Sequence, residues 1–337
     1  MGVLVPTDAR PQLRRRRHVV ARATVLGVLA AVSLIGPGVT GAATTPADAV
    51  GAAHPGLPTA APATSASTSA TAQARLRALA DTIQAAPADR QAGRYTYHHL
   101  RRWILDTTGT PAPLPNSAAM VALDHHRWVA EDGSGVEIAV EIGPDYQLTA
   151  AHPDHRSTDA EFAGHLPVRA VHPAGHMGSP IAGPLATDPA GLARQLEFDL
   201  MPDGPADTLT AVDMLYSTHH PTRPVRAAVL RVLAGVPGLA YHPVAGDRLG
   251  RRGIAISLDR RNVRYSLIID PSTGDLLAAE QRLTGPHDFL PVPAGHVVYY
   301  TLLLDHGQRP ASDQTAPDLA TRIDRHVPRS ARRVHSG

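Results

Sequence analysis

The chain has 337 residues, of which 43% are hydrophobic but only 4% aromatic, so it can build one or two domains whose core rests on Leu, Val, Ile and Ala. It contains no cysteine and no lysine, which excludes disulfides, thiolate metal sites, thiol catalysis, a lipid-modified cysteine, Schiff-base chemistry and the phosphate lysine of a Walker loop. The formal net charge of +2 conceals its distribution: residues 1–22 carry +5 and Asp318–Gly337 carry +3, leaving about −6 on the body between, the opposite of what a nucleic-acid binder presents.

The amino terminus carries the strongest local signal. Four arginines (Arg14–Arg17) and Arg22 precede the mostly apolar, uncharged run Ala23–Ile35, which Gly36-Pro37-Gly38 breaks. A basic flank, an apolar stretch of this length and small residues afterwards are the parts of an export signal. Thr40-Gly41-Ala42 and Ala47-Asp48-Ala49 both offer small-x-small cleavage sites. An uncleaved anchor is the competing reading, because Ala23–Ala43 is free of charge and just long enough to span a bilayer. Both place the basic flank inside and the residues after 44 outside the cytoplasm. Thr44–Gln73 is rich in Ala, Thr, Ser and Pro with almost no charge, the composition of a disordered tether.

With 31 Pro and 28 Gly, short elements are expected beyond the tether. Leu76, Leu79, Ala80 and Ile83 predict a helix over Ala74–Pro87. Gly93–Leu105 alternates and reads as a strand. His125–Gly143 reads as a hairpin, turned at Asp132-Gly133-Ser134-Gly135 because Asp-Gly supplies the positive φ that tight turns need. Residues 144–188 show no sustained period. Asp188-Pro189 opens a helix with a capping side chain and an early proline. Leu209–Thr218 and Pro224–Gly238 are two further helices, the latter with Val225, Val229, Leu230 and Leu233 as its apolar stripe and Arg226 and Arg231 outside. After Gly238 the pattern switches to five strands in succession, "GLAYHPV", "RGIAISLD", "VRYSLIID", "DLLAAEQRL" and "GHVVYYTLLLDHG", an antiparallel meander.

Candidate chemistry is sparse. "DPSTGD" (Asp270–Asp275) combines two carboxylates and two hydroxyls, but Pro271 and Gly274 suit a turn, with Asp270 and Thr273 capping its amides. No partner base lies near it in sequence. There are 19 histidines, paired at 98–99, 125–126 and 219–220. His172 and His176 have the i, i+4 spacing of zinc ligands on a helix, but Pro173 and Gly175 intervene. Ser134 has no nearby base. No GxSxG elbow, phosphate loop or EF-hand pattern occurs. No catalytic, cofactor-binding or metal-ligating residue is therefore assigned, and the chain is expected not to be an enzyme.

The segments "GPLATDPAGLARQL" (Gly183–Leu196), "PTRPVRAAVLRVLAGVPGL", "DRLGRRGIAIS", "IIDPSTGDLLAAE" and "LLLDHGQRP", with "RWVAEDGSG" upstream, together resemble an actinobacterial family of membrane-anchored extracytoplasmic proteins often encoded beside sigma factors. The resemblance covers roughly residues 74–310 and brings no active-site residues with it. It implies an anchor between a cytoplasmic segment and an exported domain. Only about twenty residues precede the apolar run here, too few for a cytoplasmic anti-sigma module. The exported part also looks like the half-barrel of periplasmic lipoprotein carriers and the related sigma-regulator sensor.

The expected fold is α+β: a curved, half-barrel-like antiparallel β-sheet packed on a few helices, preceded by an apolar N-terminal helix and a disordered tether. The expected organisation is 1–43 signal peptide or membrane anchor, 44–73 linker, 74–310 extracytoplasmic domain and 311–337 flexible Arg-rich tail. The leading functional expectation is a non-enzymatic domain, anchored or secreted, that binds a hydrophobic or envelope ligand such as a lipid. The alternative is a protein-interaction or sensor module in envelope-stress or sigma-factor signalling, with an envelope protein as partner. A third reading, a metallohydrolase on His172 and His176, ranks below both. No cofactor and no nucleic-acid partner are expected.

Overall fold

The computed structural model describes residues 65–87, 89, 92–106, 119–147, 159–181, 183–197, 204–287, 290 and 292–312. The leader, most of the tether and the Arg-rich tail lie outside the described residues. No helix among the described residues is long and apolar enough to cross a membrane.

The first helix, α1 (Ser65–Ala85), starts inside the segment expected to be tether. Ala72, Leu76, Ala80 and Ile83 are fully buried along one stripe, so Ala72 extends the helical period into the core a turn earlier than the leucines alone indicate. Three strands follow, β1 (Tyr95–Asp106), β2 (Ala119–Ala130) and β3 (Gly135–Gln147), then the short helix α2 (Asp159–Gly164) and strand β4 (Val168–His172). The last two fall within the segment that shows no period. Helices α3 (Pro189–Leu196), α4 (Pro205–Thr218) and α5 (Arg223–Gly235) form the helical insertion. The meander is β5 (Ala240–Gly246), β6 (Arg252–Arg260), β7 (Val263–Ile269), β8 (Leu276–Leu283) and β9 (Val297–Arg309).

All nine strands join one open antiparallel sheet in the order β4-β3-β2-β1-β9-β8-β7-β6-β5. The fold is thus α+β, as expected. The last strand does more than end the meander: β9 pairs with β1 along Tyr95–Ile104 and fuses the two halves. Turn chemistry sets the hairpins. Gly133 sits at φ +72° between β2 and β3, and Arg261 and Asn262 at +47° and +61° form the two-residue turn between β6 and β7, the handedness that matches strand twist.

Residues opposite one another in an antiparallel pair share a face. The register opposes His98 to Arg127 and Leu100 to His125 on one face, and His99 to His126 and Trp103 to Ala122 on the other. The first face receives α1, α3, α4 and α5, with Leu76, Leu192, Leu215 and Leu230 packed on Leu100, Ile256, Leu267 and Leu303. On the second face Trp103, Met120, Val140, Tyr300 and Leu302 pack with Phe162 of α2. Each fully buried side chain of this size contributes roughly 1.5–3 kcal/mol.

Candidate functional site

The corner Asp270–Asp275 is a turn, as its composition indicates. Asp270 Oδ1 accepts from the Ser272 amide (2.7 Å) and hydroxyl (2.6 Å), Thr273 Oγ1 accepts from the Asp275 amide (3.2 Å), and the Gly274 amide donates to the Asp270 carbonyl (2.8 Å). It is also the wall of a cleft, which corrects the reading of this corner as nothing but a chain reversal. The cleft, about 490 Å³, is lined by fourteen residues, nine of which are Asp, Arg or His. The sheet order explains the difference: β9 runs beside β8, so His306 arrives next to the carboxylate that opens β8.

Arg226 organises this cleft. It was expected on the outer side of its helix but is buried. Its guanidinium donates to Asp89 Oδ1 (2.9 Å) and to the carbonyls of Thr273 (2.7 Å) and Pro221 (2.8 Å). Asp275 Oδ1 lies 3.3 Å from Arg226 Nη1, an ion-pair distance without hydrogen-bond alignment. Burial pulls the Asp89 carboxyl upward, but the hydrogen bond and charge of Arg226 outweigh it and hold the pKa below the usual value. His306 Nε2 is 3.7 Å from Asp275 Oδ1, and its Nδ1 is 2.6 Å from Nδ1 of His220. Two ring nitrogens at that separation share a single proton. Burial, then repulsion from His306, pushes His220 down to about 4. No hydroxyl in this lining is activated: Thr273 Oγ1 serves the turn, and the His306–Asp275 separation exceeds hydrogen-bond reach.

The other histidine pairs meet on the sheet. His98 is fully buried and donates through Nε2 to the His219 carbonyl (2.8 Å), a bond that fixes its tautomer because a carbonyl only accepts. Burial takes its pKa to about 3. On the same face His125 Nε2 lies 2.6 Å and His172 Nε2 3.3 Å from the carboxylate of Glu137. Burial raises Glu137, but His125, Arg127 and His172 outweigh it and bring it to about 2. His125 is itself held below its ordinary value by burial. Helix α4 adds a buried acid, Asp213, which accepts from the Tyr299 hydroxyl at 2.7 Å and is pushed up by burial.

On the opposite face His99, Asp124 and His126 present one ligand atom each within 4.8 Å of one another, the spacing of a metal-binding group. His172 and His176 are not brought together in this way. His172 engages Glu137, whereas His176 is exposed on a turn docked against the β2–β3 hairpin, where the Gly175 amide donates to the Asp132 carbonyl (2.8 Å). Ser134 donates to Asp132 (2.6 Å) within that hairpin. The signal for the sheet cluster was the doubled histidines at 98–99 and 125–126, but their partners follow only from the β1–β2 register.

No protein-family model matches the chain, and no curated protein matches it. Among solved structures it is similar to MucB in the Pseudomonas aeruginosa MucA/MucB complex, with 15% identity over 74% of this chain and 62% of that one and a TM-score of 0.26. It is also similar to MucB crystallised alone, with 16% identity, 72% and 62% coverage and a TM-score of 0.27. The chain thus spans about three fifths of the length of the chains it matches. Likeness of this degree carries neither an activity nor a partner across.

Proposed function

We propose that this chain is a non-enzymatic, extracytoplasmic protein-interaction module that takes an extended segment of a partner along the edge of its sheet. One observation carries the reading. Edge strand β4 and its approach leave Leu166, Val168 and Val171 exposed, at 61%, 54% and 67%. Such side chains, on a strand whose outer edge meets no other strand among the described residues, suit β-strand addition, in which the main chain supplies affinity and alternate side chains supply selectivity. The opposite edge is guarded: β5 carries Pro243 and a register break between His242 and Ala245, two devices that block added strands.

The reading as a lipid or hydrophobic-ligand carrier draws no comparable support, because nine of the fourteen residues lining the described cleft are Asp, Arg or His. Placement outside the cytoplasm rests on the basic and apolar leader of residues 14–43. The test is capture from an envelope fraction on the purified chain, beside the double variant Val168→Asp, Val171→Asp. We expect a protein retained in stoichiometric amount and lost at least tenfold with the variant, whose thermal stability stays close to wild type. Retention of lipid without protein, or capture indifferent to the variant, would reject the reading.

A further inference from the structure

We propose that His99, Asp124 and His126 form a binding site for a divalent transition-metal ion of the zinc class, on the sheet face opposite the large helices. The site is independent of the β4 edge. His99 and His126 are directly opposed on β1 and β2, and Asp124 opposes Arg101 one pleat further along the same face. Three donors on one face of a hydrogen-bonded ladder hold their spacing better than donors on a loop.

The distances match what a cation would need. Bonds of roughly 2.0–2.1 Å in a tetrahedral site separate neighbouring donors by about 3.3 Å. Asp124 Oδ1 is 2.6 Å from His99 Nε2 and 3.9 Å from His126 Nε2. These values straddle that separation, and because the His99 and His126 rings stack with centroids 3.8 Å apart and planes 18° apart, one imidazole, the partly exposed His99, has to swing for both nitrogens to meet one ion. The longer one is beyond a hydrogen bond, so without a cation His126 Nε2 makes no bond to this carboxylate.

The surroundings act as the supporting shell of such a site. The other nitrogen of His126, Nδ1, is 2.9 Å from the Tyr97 hydroxyl. A partner on the second ring nitrogen is what fixes the tautomer and orientation of a metal-binding imidazole. Trp128, fully buried, lies parallel to His126 with ring centroids 6.0 Å apart and packs that side of the site. The second carboxylate oxygen of Asp124 accepts from Arg101 Nη2 (3.2 Å) and Nε (3.3 Å), which orients Oδ1 toward the imidazoles. Arg101 also opposes a dication. Asp305, opposite His99 across the β1–β9 register, is paired with Arg309 at 2.9 Å, so Asp124 alone carries the negative charge at the site. Entry is from the His99 side, whose side chain is 19% exposed against 6% for Asp124. The donor set of two nitrogens and one oxygen, without sulfur, selects borderline cations over Cu(I) or Mg²⁺. Three protein donors leave a fourth position open for water.

The experiment is calorimetric titration of the chelator-stripped full chain, in detergent, with Zn²⁺, repeated with Co²⁺ and read by visible absorption. We expect one equivalent per chain and a tetrahedral Co²⁺ spectrum. His99→Ala should weaken binding at least tenfold, and Tyr97→Phe, which removes only the supporting hydroxyl, about tenfold. The double variant His172→Ala, His176→Ala should bind like wild type. His99 is partly exposed and Tyr97→Phe keeps the ring, so near-ultraviolet circular dichroism should show both folded even where a change at buried His126 does not. Absence of a bound equivalent, affinity unmoved by His99→Ala, or loss that follows His172 and His176 would overturn the proposal.

Discussion

Arg226 shows how much one buried cation can hold. Its guanidinium reaches Asp89, Asp275 and the carbonyls of Thr273 and Pro221, so it ties α5 to the chain after α1, to the β7–β8 turn and to its own helix start. Truncation removes the cation that Asp89 and Asp275 share and leaves three of its hydrogen-bond acceptors unserved, although Asp89 keeps the Arg223 amide at 2.8 Å. Arg226→Ala is therefore expected to cost about 3–5 kcal/mol, read from urea unfolding midpoints. A loss below about 1 kcal/mol would mean that water replaces the guanidinium and that the cleft is wetter than its contacts imply. The residue was legible as a helical position but not as a buried one. Its partners lie 137 and 49 residues away in sequence, and a helical stripe counts only what is apolar.

At the scale of elements, the expected boundary held where a side-chain cap was present, whereas α4 starts at Pro205, a turn before the Leu209 that periodicity indicates. The Asp188 side chain accepts from the Gly191 amide at 2.7 Å, the bond that opens α3 just before Pro189. Asp188→Ala should destabilise the fold by about 1 kcal/mol, and a two-state thermal transition shifted downward by a few degrees would register it. Where the period was absent, between residues 144 and 188, sequence reasoning assigned nothing. Helix α2 is too short to show a helical period, and β4 is an edge strand of only five residues, Val168–His172, whose exposed valines break the alternation expected of a half-buried strand. The early start of α1 was missed for a related reason: alanines such as Ala72 occupy both tethers and cores, and only packing tells them apart.

For the molecule as a whole, the histidines make stability depend on acidity. His98 is held at about 3 and His220 at about 4, against an ordinary value near 6.5 in the unfolded chain. Below about pH 6.5 the unfolded chain therefore takes protons that the folded one refuses. The stabilisation is fully present above pH 6.5 and is lost as pH falls toward 4. Fully buried His98 should remove about 2 kcal/mol between pH 7 and pH 5, and the partly exposed His220 a smaller amount because solvent screens it. The carboxylate of Glu137, held at about 2, adds a further loss below about pH 4.5, where the unfolded chain protonates first. Urea midpoints at pH 7 and pH 5 measure the first effect, and His98→Gln should remove most of it. Equal midpoints at the two pH values would mean that these imidazoles are solvated in the native state.

Composition and local pattern alone determined that the chain lacks thiol and lysine chemistry, that its elements run helix, strands, helices, meander, and that Asp270–Asp275 turns the chain. Each of these depends on residues within one or two turns of each other. Which histidine meets which carboxylate, that Arg226 lies inside, and that β9 joins β1 were decided by the sheet register. That register is set by burying one continuous core on each face. No short window of sequence carries it, because the energy that selects it is gained only when separate strands meet, 25 residues apart for His99 and Asp124 and about two hundred for β1 and β9.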